Sequence, residues 1–273
     1  MRLVAADLGR ETVDGGTDEQ PRLAEPLVSF LAPVSLEADQ YRTLRQLVER
    51  LHRDSNCQVL AVTSAAAGEG KTVTALNLAG ALAQSPNTRV LIVDADLHRP
   101  SVGEYLGLAN RRGPGLAEAI LHEEYGLAQT VRRLDSLNVS VLLTGDGHHG
   151  PYELLSAPRL EKLLRDARAF YDYVLIDTPP VVPLVDCRLL GRLVDGFIVV
   201  VAAHKTPRKL VAEALNLLDP TKVIGVVFNG DDRPLAAYYG YYGGYQRPPA
   251  RSSVSQTSWW RRALGIVGVG TKR

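Results

Sequence analysis

The chain has 273 residues, 45% hydrophobic and 22% charged, with a formal net charge of +1. Those proportions exclude a chain too polar to bury a core and suit one large α/β domain with tails. The longest apolar run, residues 197–203, is too short to span a bilayer, and the polar, acidic stretch behind Met1 does not read as a signal peptide.

Residues 1–34 mix Gly15, Gly16, Pro21, Pro26 and Pro33 with no sustained period and are expected to form a flexible arm, partly laid on the domain. Ser35 is placed to cap a helix running to about Arg53, with Leu44, Leu47, Val48 and Leu51 as its apolar stripe. Asp39, Arg42 and Arg45 fall three apart and line a polar face. Cys57 and Cys187 are widely separated with no CxxC pair, which fits a reducing compartment and offers no metal site.

Residues 59–83 read VLAVTSAAAGEGKTVTALNLAGALA. An apolar strand (59–62), a small Gly-bearing loop (64–70), Lys-Thr and then an Ala/Leu-rich helix are the order a phosphate-gripping loop requires. Gly68 and Gly70 let successive N–H groups turn inward, and the helix start adds its positive dipole end. Gly68, Glu69, Gly70, Lys71, Thr72 and Val73 are therefore candidate nucleotide-binding residues. Lys71 is suited to the β/γ-phosphates and the Thr72 hydroxyl to Mg²⁺. The general pattern G-x-x-x-x-G-K-[ST] asks for Gly where this chain has Ala65.

In RVLIVDADLHRP (89–100) a buried strand ends in Asp94 and Asp96. Open parallel sheets bind ligands at such strand ends, where two carboxylates can share a metal and a proton-accepting role. A helix over 113–121, a strand over 139–143 and a loop bearing His148 and His149 follow, then an amphipathic helix over 160–170. YDYVLIDTPP (171–180) gives another buried strand, closed by Asp177. Residues 194–202 read as a central parallel strand, and Thr206 caps a helix with Pro207 at its first position. A last strand, 223–228, is closed by Asn229. This alternation argues for a mostly parallel sheet covered by helices on both faces, over residues 35–230.

Residues 231–250 carry YYGYYGGY, which holds Tyr238, Tyr239, Tyr241, Tyr242 and Tyr245, five of the 11 tyrosines. Glycines between them and Pro248–Pro249 after them oppose stable packing. After Asp232 there is no acidic residue and the tail carries +7, leaving −6 on residues 1–232. Residues 251–273 form a basic tail with Trp259 and Trp260, a combination also found at anionic membrane surfaces.

SAAAGEGKT, VLIVDADLHRP and VLIDTPP in this order, with the tyrosine cluster, resemble the Walker A, A′ and B motifs of the bacterial tyrosine kinases. The resemblance covers roughly residues 39–229 and extends to GRLVDGFIVVVAAHKTPRKLV and VIGVVFN. It implies a P-loop fold and an ATP- and Mg²⁺-dependent autokinase that phosphorylates its C-terminal tyrosines between subunits. Lys71 would serve the phosphates, Thr72, Asp96 and Asp177 the metal, and Asn229 the adenine. Asp94 and Asp96 would activate the acceptor hydroxyl, with Asp94 as the base or the two roles exchanged. DQYRTLR is similar to the family's E-x-x-R-x-x-R self-association segment, with Asp39 where Glu is preferred and Arg42 and Arg45 in agreement.

The resemblance further implies exopolysaccharide or capsule export, a ring-like homo-oligomer, a separate membrane co-polymerase as activator and a cognate phosphatase. It places the protein in the cytoplasm, drawn to the inner membrane face by its partner, with no nucleic-acid ligand. Ala67 stands where Pro is common, and His98 stands where the A′ motif has Arg, with Arg99 beside it. His98 is the warrant for an alternative, a nucleotide-binding scaffold without transfer. A second alternative is a switch ATPase that positions division sites or partitions plasmids, but Ala66 stands where that group carries a signature Lys.

Overall fold

A computed structural model describes residues 23–108, 113–146, 150–184 and 186–231. A short helix, α1 (Val28–Leu31), precedes α2 (Leu36–Ser55), which Ser35 caps by accepting from the Ala38 amide at 3.1 Å. Next come β1 (Val59–Ser64), α3 (Lys71–Ala83), β2 (Val90–Asp94), α4 (Val102–Tyr105), α5 (Leu116–Leu121) and α6 (Leu127–Thr130). The remainder supplies β3 (Arg132–Leu134), β4 (Val139–Leu142), α7 (Pro151–Ser156), α8 (Pro158–Phe170) and β5 (Tyr173–Asp177). Then follow α9 (Asp186–Leu190), β6 (Gly196–Ala202), α10 (Arg208–Leu217) and β7 (Val223–Asn229).

Among the described residues the strands form one seven-stranded sheet, ordered β3-β4-β2-β5-β1-β6-β7. All neighbours are parallel except β3, which runs antiparallel to β4 at the edge. Side chains alternate between faces along a strand, so each central strand feeds two cores. Val59 and Ala61 of β1 join Val174 and Ile176 of β5 under α5, α7, α8, α9 and α10. Leu60 and Val62 join Tyr173 and Leu175 under α2, α3 and α4. This is the mostly parallel, doubly covered sheet expected of a P-loop protein. No described helix is long and apolar enough to cross a membrane.

The second part of the arm is laid on the domain. Leu27 is fully buried, the Ser29 amide donates to Asn77 Oδ1 at 2.8 Å, and Asn77 Nδ2 donates to the Pro26 carbonyl at 2.8 Å. Gly80 of α3 permits this approach, because a Cβ there would lie 2.9 Å from the Phe30 ring. The helix after Thr206 also starts later than expected. Pro207 is its N-cap residue and Thr206 makes no capping bond, since its hydroxyl is used elsewhere. Residues 1–22, His148 and His149, and residues 232–273 with all five clustered tyrosines and Trp259–Trp260 lie outside the described residues.

Candidate active site

The strand order sets the site. β5 lies between β1 and β2, so the carboxyl ends of these neighbours present the 64–70 loop, Asp177 and Asp94 side by side, with Asp94 in register with Asp177. Gly68 (φ +78°) and Gly70 (φ +91°) take the left-handed backbone the loop needs. Ala65, where the general pattern has Gly, is buried and not at positive φ, so its methyl group is tolerated.

At the head of α3 the Lys71 ammonium sits 2.8 Å from Asp96 Oδ2, and the Thr72 hydroxyl donates to Asp177 Oδ2 at 2.6 Å. Both pairs are largely buried. Burial pulls the Lys71 ammonium down, but Asp177 and Asp96 outweigh it and hold the lysine above its usual value. Burial pushes the Asp177 carboxyl up to about 7, against the opposing pull of Lys71 and the Thr72 hydroxyl. Burial and the charge of Asp177 push Asp94 up to about 8.

Three carboxyls thus face one ammonium, and Asp177 Oδ1 is buried without a hydrogen-bond partner. Carboxyls too crowded to ionise together, and an orphaned carboxylate oxygen among them, both fit a cation. No three His, Cys, Asp or Glu side chains among the described residues cluster as a metal cage. Mg²⁺ does not need one, since it is commonly held by one or two carboxylates with phosphate oxygens and water. Thr72, Asp96 and Asp177 are the groups that could hold it.

Residues 57–208 match the family model described as an AAA domain. Tyrosine-protein kinase YwqD of Bacillus subtilis is 34% identical over 224 residues, which are 81% of this chain and 93% of that protein. The chain belongs to the bacterial tyrosine-kinase family. Among solved structures, the kinase domain of Escherichia coli tyrosine kinase ETK superposes with a TM-score of 0.69 at 25% identity, covering 85% of each chain. Succinoglycan biosynthesis transport protein ExoP of Rhizobium meliloti is 31% identical over 79% of this chain, which spans 28% of its length.

Within the tyrosine-kinase framework the two A′ carboxylates are not equivalent. Asp94 is spent on the backbone: Oδ2 accepts from the Ser101 and Val102 amides at 3.1 Å each, and Oδ1 from the Asp96 amide at 3.3 Å. It shapes the 96–102 loop. Asp96 accepts from the Arg99 amide at 3.0 Å and turns its other oxygen to Lys71. His98, in place of the family arginine, pairs with Asp186 Oδ2 at 2.7 Å.

Asn229 donates to the Glu69 carbonyl of the Walker A loop at 2.9 Å. Arg42 binds Asp39 and the Pro33 carbonyl. Arg45 folds inward to Glu49 at 2.6 Å, the Ala81 carbonyl at 2.9 Å and Ser85 Oγ at 2.8 Å, bracing the end of α3. These three helix residues are not brought to the Lys71 cluster. Two site residues escaped sequence reasoning. Ser101 Oγ is 3.0 Å from Thr72 Oγ1, and the Thr206 hydroxyl donates to Glu69. Ser101 directly follows the A′ motif, which was a usable signal; Thr206 was misread as a helix cap.

Proposed function

We propose that this chain is an ATP- and Mg²⁺-dependent tyrosine autokinase that transfers the γ-phosphoryl group onto Tyr238, Tyr239, Tyr241, Tyr242 and Tyr245 of a neighbouring copy. The observation that carries this reading is the Lys71–Asp96 contact beside Thr72 and Asp177, on adjoining strand ends. Bound Mg²⁺ would supply charge neutralisation at the β- and γ-phosphate oxygens. A triphosphate gives Lys71 a more highly charged partner than a single carboxylate, and so releases Asp96.

The phenol has a pKa of ~10 and needs a base to attack near neutral pH. Asp96, freed from Lys71, is better suited to that role than Asp94. It takes the phenolic proton as the phenol oxygen bonds to the γ-phosphorus and the bond to the β–γ bridging oxygen breaks, leaving ADP. The proton on Asp96 then passes to solvent. Lys71 balances the charge developing on the departing phosphate.

Relatives named for succinoglycan biosynthesis transport and as a tyrosine-protein kinase support a role in exopolysaccharide or capsule synthesis or export. A separate membrane co-polymerase would activate the chain at the inner membrane face, and a phosphatase would reset it. Each phosphotyrosine carries about −1.5 to −2, so five bring roughly −7.5 to −10. That cancels or reverses the tail's +7. An unmodified tail docks into an acidic neighbour in a ring, and a phosphorylated one is expelled. Incubation with Mg-ATP, with and without the partner's cytoplasmic segment, followed by mass spectrometry, tests the reading. Phosphotyrosine within residues 238–245 of the wild-type chain, absent from Lys71→Ala, supports it; none under either condition refutes it.

A further inference from the structure

The loop that would cradle the phosphates is fastened from behind. Glu69 is buried with 4% exposure, although it lies between the two loop glycines. Its Oε2 accepts from the Ala66 amide at 3.0 Å, and its Oε1 accepts from the Thr206 hydroxyl. Thr206 Oγ1 is itself held by the Ala202 amide at 3.1 Å, at the end of β6. From β7, Asn229 donates to the Glu69 carbonyl at 2.9 Å. Space for Asn229 exists because residue 70 is Gly: a Cβ there would lie 1.9 Å from Asn229 Nδ2. Two strands on one side of β1 therefore grip a loop whose chemistry faces the other side.

Two physical costs explain why such a grip matters. Ala66, Ala67 and Gly68 offer little side-chain packing, so ordering them only when nucleotide arrives would spend binding energy on conformational entropy. A glutamate inside a phosphate loop would also repel the triphosphate if its carboxylate swung toward the mouth. The Thr206 hydroxyl answers both by pinning the carboxylate toward β6 and, through it, the Ala66 amide.

We propose that Thr206 is a positioning residue for nucleotide binding, which holds Glu69 away from the phosphates and the loop in its receptive shape. This rests on the nucleotide reading above, and the experiment separates the two. Mg²⁺ and a fluorescent ADP analogue are titrated against the full chain, Thr206→Val, Thr206→Ser, Glu69→Ala and the Thr206→Val/Glu69→Ala double variant. Thr206→Val is expected to weaken binding about tenfold, or about 1.4 kcal/mol, the scale of one lost hydrogen bond to a charged group. Thr206→Ser restores the affinity.

In turnover, KM for ATP rises while kcat at saturation holds, a split that a general loss of structure does not give. Glu69→Ala reports the same clasp from the loop side if Thr206→Val fails to fold. The double variant binds no more weakly than the weaker single variant. Wild-type affinity in Thr206→Val, failure of Thr206→Ser to rescue, or additive losses in the double variant overturn the clasp. Absence of binding by the wild-type chain overturns the nucleotide reading itself, and the clasp with it.

Discussion

Lys71→Met replaces the ammonium of the carboxylate cluster with an apolar chain of similar length. The 2.8 Å contact with Asp96 corresponds to ~6 kcal/mol of attraction at an effective dielectric constant of ~20, much of it offset by the cost of burying both ions. Breaking such a pair by removing one partner costs about 3–5 kcal/mol. The loss is also pH-dependent. Asp177 and Asp94 are raised to about 7 and about 8, so the folded chain holds protons that the unfolded chain has released. Their stabilising contribution is full below the ordinary carboxyl range and declines as pH rises through those values.

Lys71 opposes the rise at Asp177, so its removal keeps that carboxyl protonated to higher pH. Each further pH unit then costs about 1.4 kcal/mol relative to the wild type. Between pH 7 and pH 8.5 the stability gap should widen, by at most about 2 kcal/mol. Urea unfolding followed by circular dichroism at pH 6 and pH 8.5 measures it. A gap equal at both pH values, or narrower at pH 8.5, would refute the electrostatic reading of the cluster.

Gly70→Ala combines backbone strain at φ +91° with a Cβ 1.9 Å from Asn229 Nδ2. It should weaken binding of a fluorescent nucleotide tenfold or more, on the order of 1.4 kcal/mol, with partial recovery in Gly70→Ala/Asn229→Ala. Asp195 joins β1 to α8, accepting from the Gln58 and Val59 amides at 2.9 and 2.8 Å and from both Arg168 terminal nitrogens. Asp195→Ala should cost about 3 kcal/mol in urea unfolding at neutral pH. Against burial, Arg168 and those amides hold the Asp195 carboxyl below its usual range, so its contribution fades as pH falls through that lowered value. The gap to wild type should therefore shrink in acid. Sedimentation velocity should give a smaller particle after phosphorylation than before; equal sizes would remove the tail-expulsion model.

What could be read from the chain was what is local. The Ser35 cap, the glycines at 68 and 70, and the apolar runs closed by Asp94 and Asp177 are signalled by neighbouring residues. The meeting of those carboxyls with Lys71 depends on β5 lying between β2 and β1, an order that no local pattern encodes. The Glu69–Thr206 and Asn229–Glu69 contacts join residues 137 and 160 positions apart, so Thr206 looked like an ordinary helix cap. Helix α1 and strand β3, of four and three residues, are too short to show a period. Arg45 fits an exposed polar face by spacing, yet the carbonyl end of α3 draws its guanidinium inward.

In the proposed reaction, phosphate leaves a site built around Lys71 and arrives on a tyrosine of another copy. A Lys71→Ala chain that keeps its tyrosines is mixed with a chain carrying Phe at positions 238, 239, 241, 242 and 245, then given Mg-ATP and the activating segment. Phosphotyrosine on the Lys71→Ala chain, in the mixture and not alone, is the expected result. An unmodified Lys71→Ala chain in a mixture that still hydrolyses ATP would contradict it.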